Sequence, residues 1–241
     1  MSDADLETVN KAWSATRIMW RAGMKNDQTK RILWSIVADV PLQSVLEDSR
    51  CPPLLRRTLT GTLSWQTRNE TSVRKALGMP RIAPRWVAAL MALGATVTVE
   101  GEAGPTEVLL SVGTRLPHPH MLHIPLVEGM RWGEACVART PADEPIVAAV
   151  AVVEMSDGLV RQARVALTGV WPEPVRLAEA PARLIGSPLE EERIRAVAEA
   201  VEKEVAPRGD FRGSEEYRRA MAGVLTRRAL EQCLRQEGEN E

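Results

Sequence analysis

Three short runs rich in β-branched and small apolar residues lie at 134–139, 146–154 and 159–168, separated by Pro141-Ala142-Asp143 and by Ser156-Asp157-Gly158. Runs of this length with turn residues between them read as strands, and connections this short can join only antiparallel neighbours. The spacing predicts a three-stranded antiparallel meander closed by Trp171-Pro172-Glu173-Pro174. The remainder reads as helical. Ser187-Pro188-Leu189-Glu190 offers a hydroxyl N-cap followed by proline at the first helical position, and Ile194, Val197, Ala198, Val201 and Val205 then recur on one helical face. A last helix is expected from Ser214, with Glu215 and Glu216 in its first turn and Tyr217, Met221, Val224 and Leu225 on its apolar side.

The first half mixes helix and strand. Residues 4–24 carry Leu6, Val9, Trp13, Met19 and Trp20 in a loose helical pattern. Two helical stretches are expected between 42 and 65, separated by Cys51-Pro52-Pro53, and another from Pro84 to Leu93, where Gly94 ends it. Residues 95–100 and 107–112, joined through a turn at 101–105, carry a hairpin signal.

Composition narrows the function classes. With 31 basic and 32 acidic residues the net charge of −1 gives no overall field to recruit nucleic acid or an anionic membrane. Cys51, Cys136 and Cys233 include no Cys-x-x-Cys pair, and they read as reduced thiols. The acidic amino terminus lacks a signal-peptide apolar core, and the apolar run at 146–153 is too short to span a bilayer, so a cytoplasmic location is expected. No Walker loop, G-x-G-x-x-G or G-x-S-x-G pattern is present, and no catalytic residue is assigned.

Two clusters call for a reading. His118, His120 and His123 lie within one segment, but Pro117 and Pro119 hold it extended and neighbouring side chains diverge, so no metal is expected there. Residues 50–90 carry Arg50, Arg56, Arg57, Arg68, Arg74, Lys75, Arg81 and Arg85 against Glu70 alone. That excess reads as a polyanion or dinucleotide site, a docking surface for an acidic partner, or a solvated helical face.

Asp210-Phe211-Arg212-Gly213-Ser214-Glu215-Glu216-Tyr217-Arg218, followed by Leu225-Thr226-Arg227-Arg228-Ala229-Leu230, carries the pattern D-x-R-x-S-x-x-Y-R. Upstream, Ala138-Arg139-Thr140-Pro141-Ala142-Asp143, residues 163–176 and Leu184-Ile185-Gly186 follow in order. These stretches resemble the carboxyl-terminal domain of the flavoprotein (medium) subunit of carbon monoxide dehydrogenase and xanthine dehydrogenase-type molybdenum hydroxylases. The resemblance covers about 125–236 and continues into 36–124, where Ser64-Trp65-Gln66-Thr67-Arg68-Asn69 is similar to the family's S-x-Q-I-R-N stretch.

The resemblance implies an α+β fold: a shortened remnant of the flavin-binding domain, then a three-stranded antiparallel sheet packed with carboxyl-terminal helices. It divides the chain into an unmatched helical segment at 1–35, a remnant of the second FAD-binding subdomain at 36–124, and the carboxyl-terminal domain at 125–236. It implies FAD as cofactor, with Arg68, Asn69, Ser72, Arg74 and Lys75 at the binding positions, and partners in a molybdenum-cofactor large subunit and a [2Fe-2S] small subunit. Where the family continues R-N-x-A-T-x-G-G-N, this chain reads Arg68-Asn69-Glu70-Thr71-Ser72-Val73-Arg74-Lys75-Ala76, and the family's first flavin subdomain has no counterpart. Side chains in place of glycines obstruct approach to a pyrophosphate, so the chain alone is expected not to hold FAD tightly.

Two roles follow: an electron-transfer subunit taking electrons from the iron–sulfur partner if FAD is bound, or a flavin-less scaffold of such a complex. A free-standing binder unrelated to redox work is a third. Residues 125–241 are expected to fold alone, and apolar surface including some of Trp13, Trp20, Trp34 and Trp65 is expected to await a partner.

Overall fold

The structure is a computed structural model that describes residues 18–22, 31–61, 63–101, 104–111, 118–140 and 143–236. Two antiparallel sheets organise it. The first contains β1 (Ile18–Ala22), β2 (Arg31–Val37), β3 (Thr96–Gly101), β4 (Gly104–Leu109) and β5 (Pro119–Val127), in the order β1-β2-β5-β3-β4. The second contains β6 (Met130–Val137), β7 (Val147–Ser156), β8 (Leu159–Thr168) and β9 (Val175–Leu177), in that order. Between β2 and β3 run α1 (Leu42–Glu47), α2 (Pro53–Thr60), α3 (Trp65–Glu70), α4 (Val73–Gly78) and α5 (Pro84–Leu93). After β9 come a 3-10 turn (Ala180–Leu184), α6 (Glu191–Glu204) and α7 (Glu215–Arg235). No helix among the described residues is long and apolar enough to cross a membrane.

The mixed helix and sheet architecture agrees with the sequence, while several local readings change. Residues 18–22 form a strand, with Ile18 opposite Ile36 and Ala22 opposite Ile32. The helical spacing of Leu6, Val9 and Trp13 is not continued by the adjacent Met19 and Trp20, and pairing with β2 satisfies the backbone of 18–22 instead. Residues 1–17, with Trp13, lie outside the described residues. Pro125 pairs with Leu33 inside β5, so the first sheet extends past the expected boundary at 125 and the second begins at Met130. A fourth strand joins the meander: Pro172 and Pro174 lack backbone donors, and pairing resumes at Val175 opposite Thr168. The Ser187 hydroxyl donates to the Leu184 carbonyl at 2.6 Å, so it does not cap a helix, and α6 starts at Glu191. Ser214 does cap α7, accepting from the Tyr217 amide at 3.2 Å. The buried stripe of α7 runs through Arg218, Ala222, Leu225, Ala229 and Cys233, which turns Tyr217 outward.

Helix α5 is buried at all ten positions. On one side it meets the first sheet through Trp34, Ile36, Leu122 and Ile124, and on the other it meets Val150, Val152, Ala166 and Val175 of the second. Trp34 is fully buried in this core, so it offers no surface to a partner, whereas Trp65 is 67% exposed. The opposite face of the second sheet packs Ala149, Ala151, Val153, Val165 and Leu167 against α6 and α7. Strand β7 is therefore covered on both faces, which is why its sequence is a continuous apolar run and not an alternation. Ion pairs across α5 join the halves: Arg85 Nε donates to Glu134 Oε1 at 2.5 Å, and Arg57 Nε lies 3.2 Å from Glu134 Oε2.

Strand β6 is the edge of its sheet, and α7 completes it with side-chain amides. Gln232 accepts from the Glu134 amide at 3.0 Å and donates to the Glu134 carbonyl at 2.9 Å. Gln236 does the same with Trp132, at 3.0 and 2.9 Å. Residues four apart on a helix rise about 6.0 Å and residues two apart on a strand about 6.8 Å, so the two amides match two successive outward-facing backbone sites. Gly133, between those sites, permits the approach: a Cβ there would lie 2.0 Å from the Ala229 carbonyl oxygen.

Candidate functional site

The residues expected at a flavin site lie on α3 and α4, where the chain folds back against the segment after β2. Arg68 Nε donates to Gln43 Oε1 at 2.7 Å, and its Nη1 donates to the Leu63 carbonyl. Asn69 Nδ2 donates to the Trp65 carbonyl at 2.8 Å, one helical turn back. Ser72 caps α4 by accepting from the Lys75 amide at 3.2 Å. Arg74 grips Asp39 with both Nε and Nη2, at 2.8 and 3.0 Å. The structure thus brings the five residues onto two consecutive short helices, where four of them hold the chain together.

A dinucleotide cradle needs free backbone N–H groups and close approach to them. Here the Val73 amide donates to Val40 O at 2.9 Å and the Arg74 amide to Ala38 O at 2.6 Å, while the Lys75 amide is held by Ser72 Oγ. The amides at the positions corresponding to the family's glycines are engaged, and side chains occupy the approach. In this geometry the backbone amides of 73–75 are not free to receive a pyrophosphate.

Four of the eight basic residues of 50–90 pair with carboxylates outside that stretch. Arg50 pairs with Asp48, Arg74 with Asp39, and Arg57 and Arg85 with Glu134. Arg56 donates to the Asp48 carbonyl at 3.2 Å. The histidines go to separate partners: His123 sits between Ser35 Oγ and Thr98 Oγ1, each at 2.8 Å, while His120 lies 3.3 Å from Glu100 and His118 is exposed. Among the described residues no group of three or more His, Cys, Asp or Glu could hold a metal ion. Burial pushes the Cys51 and Cys233 thiols up to about 12, which keeps them protonated and unreactive at neutral pH, and Cys136 is exposed.

The conspicuous polar cleft lies elsewhere, where the segment before α5 meets the start of α7. It measures about 240 Å³ and is lined in part by Arg81, Trp171, Glu173, Arg208, Asp210 and Arg212. Arg218, nearly buried, forms its floor. Its Nη1 donates to the Ile146 and Gly169 carbonyls at 2.7 and 2.9 Å, and its Nη2 to Asp210 Oδ1 at 2.7 Å. The Arg218 hydrogen bond holds the Asp210 carboxyl down at about 2, with backbone amides of Arg212 and Gly213 adding to the effect. The first and last residues of D-x-R-x-S-x-x-Y-R therefore clip the α7 entry to the ends of β7 and β8. Sequence reasoning found the motif and the basic run separately. What brings Arg81 and Arg208 to one cleft is the sandwiching of α5, which leaves no local signal.

Residues 136–233 match the CO dehydrogenase flavoprotein C-terminal domain. The glyceraldehyde dehydrogenase medium chain of Sulfolobus acidocaldarius is 23% identical over 189 residues, covering 75% of this chain and 67% of that one. The carbon monoxide dehydrogenase medium chain of Afipia carboxidovorans is 34% identical over 129 residues, covering 54% of this chain and 42% of the relative, so that match spans less than half the relative's length. Among solved structures, carbon monoxide dehydrogenase from Hydrogenophaga pseudoflava superposes with a TM-score of 0.75 at 25% identity, covering 89% of this chain and 78% of the other. In its carboxyl-terminal domain, its medium-chain relatives and its fold, the chain is similar to the medium, flavoprotein-type subunits of carbon monoxide dehydrogenase and related molybdenum hydroxylases.

Proposed function

We propose that the chain is a flavin-free medium-type subunit of a molybdenum hydroxylase-like oxidoreductase complex, a scaffold that docks with a molybdenum-cofactor large subunit and a [2Fe-2S] small subunit in the cytoplasm. The observation that carries this reading is the engagement of the Val73, Arg74 and Lys75 amides by Ala38, Val40 and Ser72, in a chain whose carboxyl-terminal domain keeps its motif clip. An electron-transfer role would require FAD at 68–75. Opening that site would break two backbone hydrogen bonds and the Arg74–Asp39 pair, and several side chains would still stand where the cofactor must approach.

The test is isolation of the tagged chain from its native host under gentle conditions. The expected result is co-purification with a molybdenum-cofactor chain and an iron–sulfur chain, and a colourless protein once this chain is separated from them. Near-stoichiometric FAD retained by the separated chain would overturn the flavin-free reading and make Arg68, Asn69, Ser72, Arg74 and Lys75 the residues to mutate. Recovery of a well-behaved monomer without either partner would favour the free-standing binder instead.

A further inference from the structure

Phe211 is the single phenylalanine of the chain, and it is 88% exposed. It sits at the tip of a turn that has little freedom. Asp210 and Gly213 exchange backbone hydrogen bonds at 3.0 and 3.2 Å, Asp210 Oδ1 accepts from the Arg212 and Gly213 amides at 2.9 and 3.2 Å, and Arg218 ties the same carboxylate to the protein body. The Tyr217 ring closes over Gly213, 3.0 Å from where a Cβ would sit. A large aromatic held outward on a rigid turn exposes apolar area that the free protein gains nothing by displaying. The same feature is a preorganised anchor when a partner covers it, because little side-chain and loop entropy remains to be lost.

The cleft beside this turn supplies the second observation. Of its arginines, Arg212 is paired with Asp210 and Glu144, and Arg218 with Asp210. Arg81 and Arg208 are exposed and make no hydrogen bond or ion pair among the described residues, while Glu173, half-buried, is the one lining carboxylate without such a partner. Two free guanidinium groups against one free carboxylate leave the cleft cationic. At about 240 Å³ it is smaller than the roughly 300–1,000 Å³ of ordinary small-molecule sites, and it fits one or two side chains of a protein segment.

We propose that Phe211 and the cleft holding Arg81 and Arg208 form one docking surface for an acidic segment of a partner subunit, with Phe211 entering an apolar pocket of the partner and a carboxylate of the segment lying between the two arginines. The proposal rests on the subunit reading above. Arg81 precedes α5 and Arg208 precedes α7, so the surface exists only when both halves of the chain are assembled, and a partner docked there senses the folded whole. Phe211 makes the apolar contact and the arginines set the approach, because exposed charges act mainly on the association rate and its salt dependence.

The test uses the full chain, tagged and co-produced with the molybdenum-cofactor and iron–sulfur subunits, as wild type, Phe211→Ala and the double variant Arg81→Glu/Arg208→Glu. None of the three side chains is buried, so all variants should melt like the wild type. Phe211→Ala should weaken assembly about 30-fold, as for truncation of an interface anchor. The charge reversals should slow association and reduce its sensitivity to salt. Variants that assemble like the wild type overturn the docking surface and leave the subunit reading intact. A wild-type chain that binds neither subunit overturns both. A homodimer that dissociates on Phe211→Ala assigns the surface to a second copy of the chain and overturns the acidic-partner proposal.

Discussion

Replacing Gln232 with alanine should destabilise the protein through the edge of the second sheet and not through the helix that carries the residue. Alanine is the better helix former, so α7 itself loses nothing. What is lost is one hydrogen bond from the Glu134 amide at 3.0 Å and one to its carbonyl at 2.9 Å, both partly buried. At about 0.5–1.5 kcal/mol net per bond, Gln232→Ala should cost about 1–3 kcal/mol. For a chain of this length that lowers the midpoint by roughly 2–4 °C per kcal/mol. Adding Gln236→Ala releases the matching pair on Trp132 and should come close to doubling the loss. Gln232→Glu is the discriminating variant, because a carboxylate still accepts from the Glu134 amide but cannot donate to its carbonyl and repels it. It should be no more stable than alanine. Urea denaturation measures the totals, and hydrogen exchange at the Trp132 and Glu134 amides reads the edge directly. Unchanged exchange at both amides, with stability within about 0.5 kcal/mol of wild type, the usual range for surface substitutions, would refute the reasoning.

Glu134→Ala leaves Arg85 buried without its carboxylate and should cost about 3–5 kcal/mol, while replacing Arg85 and Glu134 together with methionine should recover most of it; a double variant no more stable than the single would count against a buried pair. The Asp210 carboxyl titrates near 2 in the fold against 3.8 ordinarily, so its contribution is complete above about pH 4 and is lost as pH falls toward 2; the midpoints of wild type and Asp210→Asn, compared by thermal melts, should converge over that window. Residues 125–241 alone would expose Val150, Val152, Ala166 and Val175, a loss of roughly 5–9 kcal/mol set against a typical total of about 5–15, so contrary to the sequence expectation the fragment should bind a hydrophobic dye and melt without a sharp transition. A cooperative melt of that fragment would show that α5 is dispensable to the second sheet.

Where a signal was local, the sequence carried it. Pro84 and Gly94 bracket α5 as expected, with Gly94 at φ 72 in the left-handed region, and Ser214 caps α7. Ser187 failed as a cap because its hydroxyl had a nearer acceptor in Leu184, a contact made by a turn whose course the local pattern does not reveal. The strand at 18–22 was hidden because its partner lies beyond a further stretch of chain, and strand pairing is set by the partner more than by propensity. The basic run was legible as charge but not as pairing: Asp39, Asp48 and Glu134, all outside it, engage four of its eight cations. Residues 68–75 were legible as chemistry but not as geometry, since nothing in Val73-Arg74-Lys75 announces that Ala38 and Val40 take up its amides.

The burial of α5 on two sides also has a timetable. Synthesis completes the helix at Leu93, but the strands that cover its second face end at Leu177. At about 5–20 residues per second the ribosome leaves that face uncovered for roughly 4–17 s. Collapse of a chain this size takes microseconds, so the first sheet can gather around α5 long before the second arrives. During that interval the nascent chain carries an apolar helix face with no native partner yet made. Its safe arrival depends on what shields the helix at the exit tunnel, and slowing translation between codons 93 and 177 should lower soluble yield without changing the stability of the finished protein.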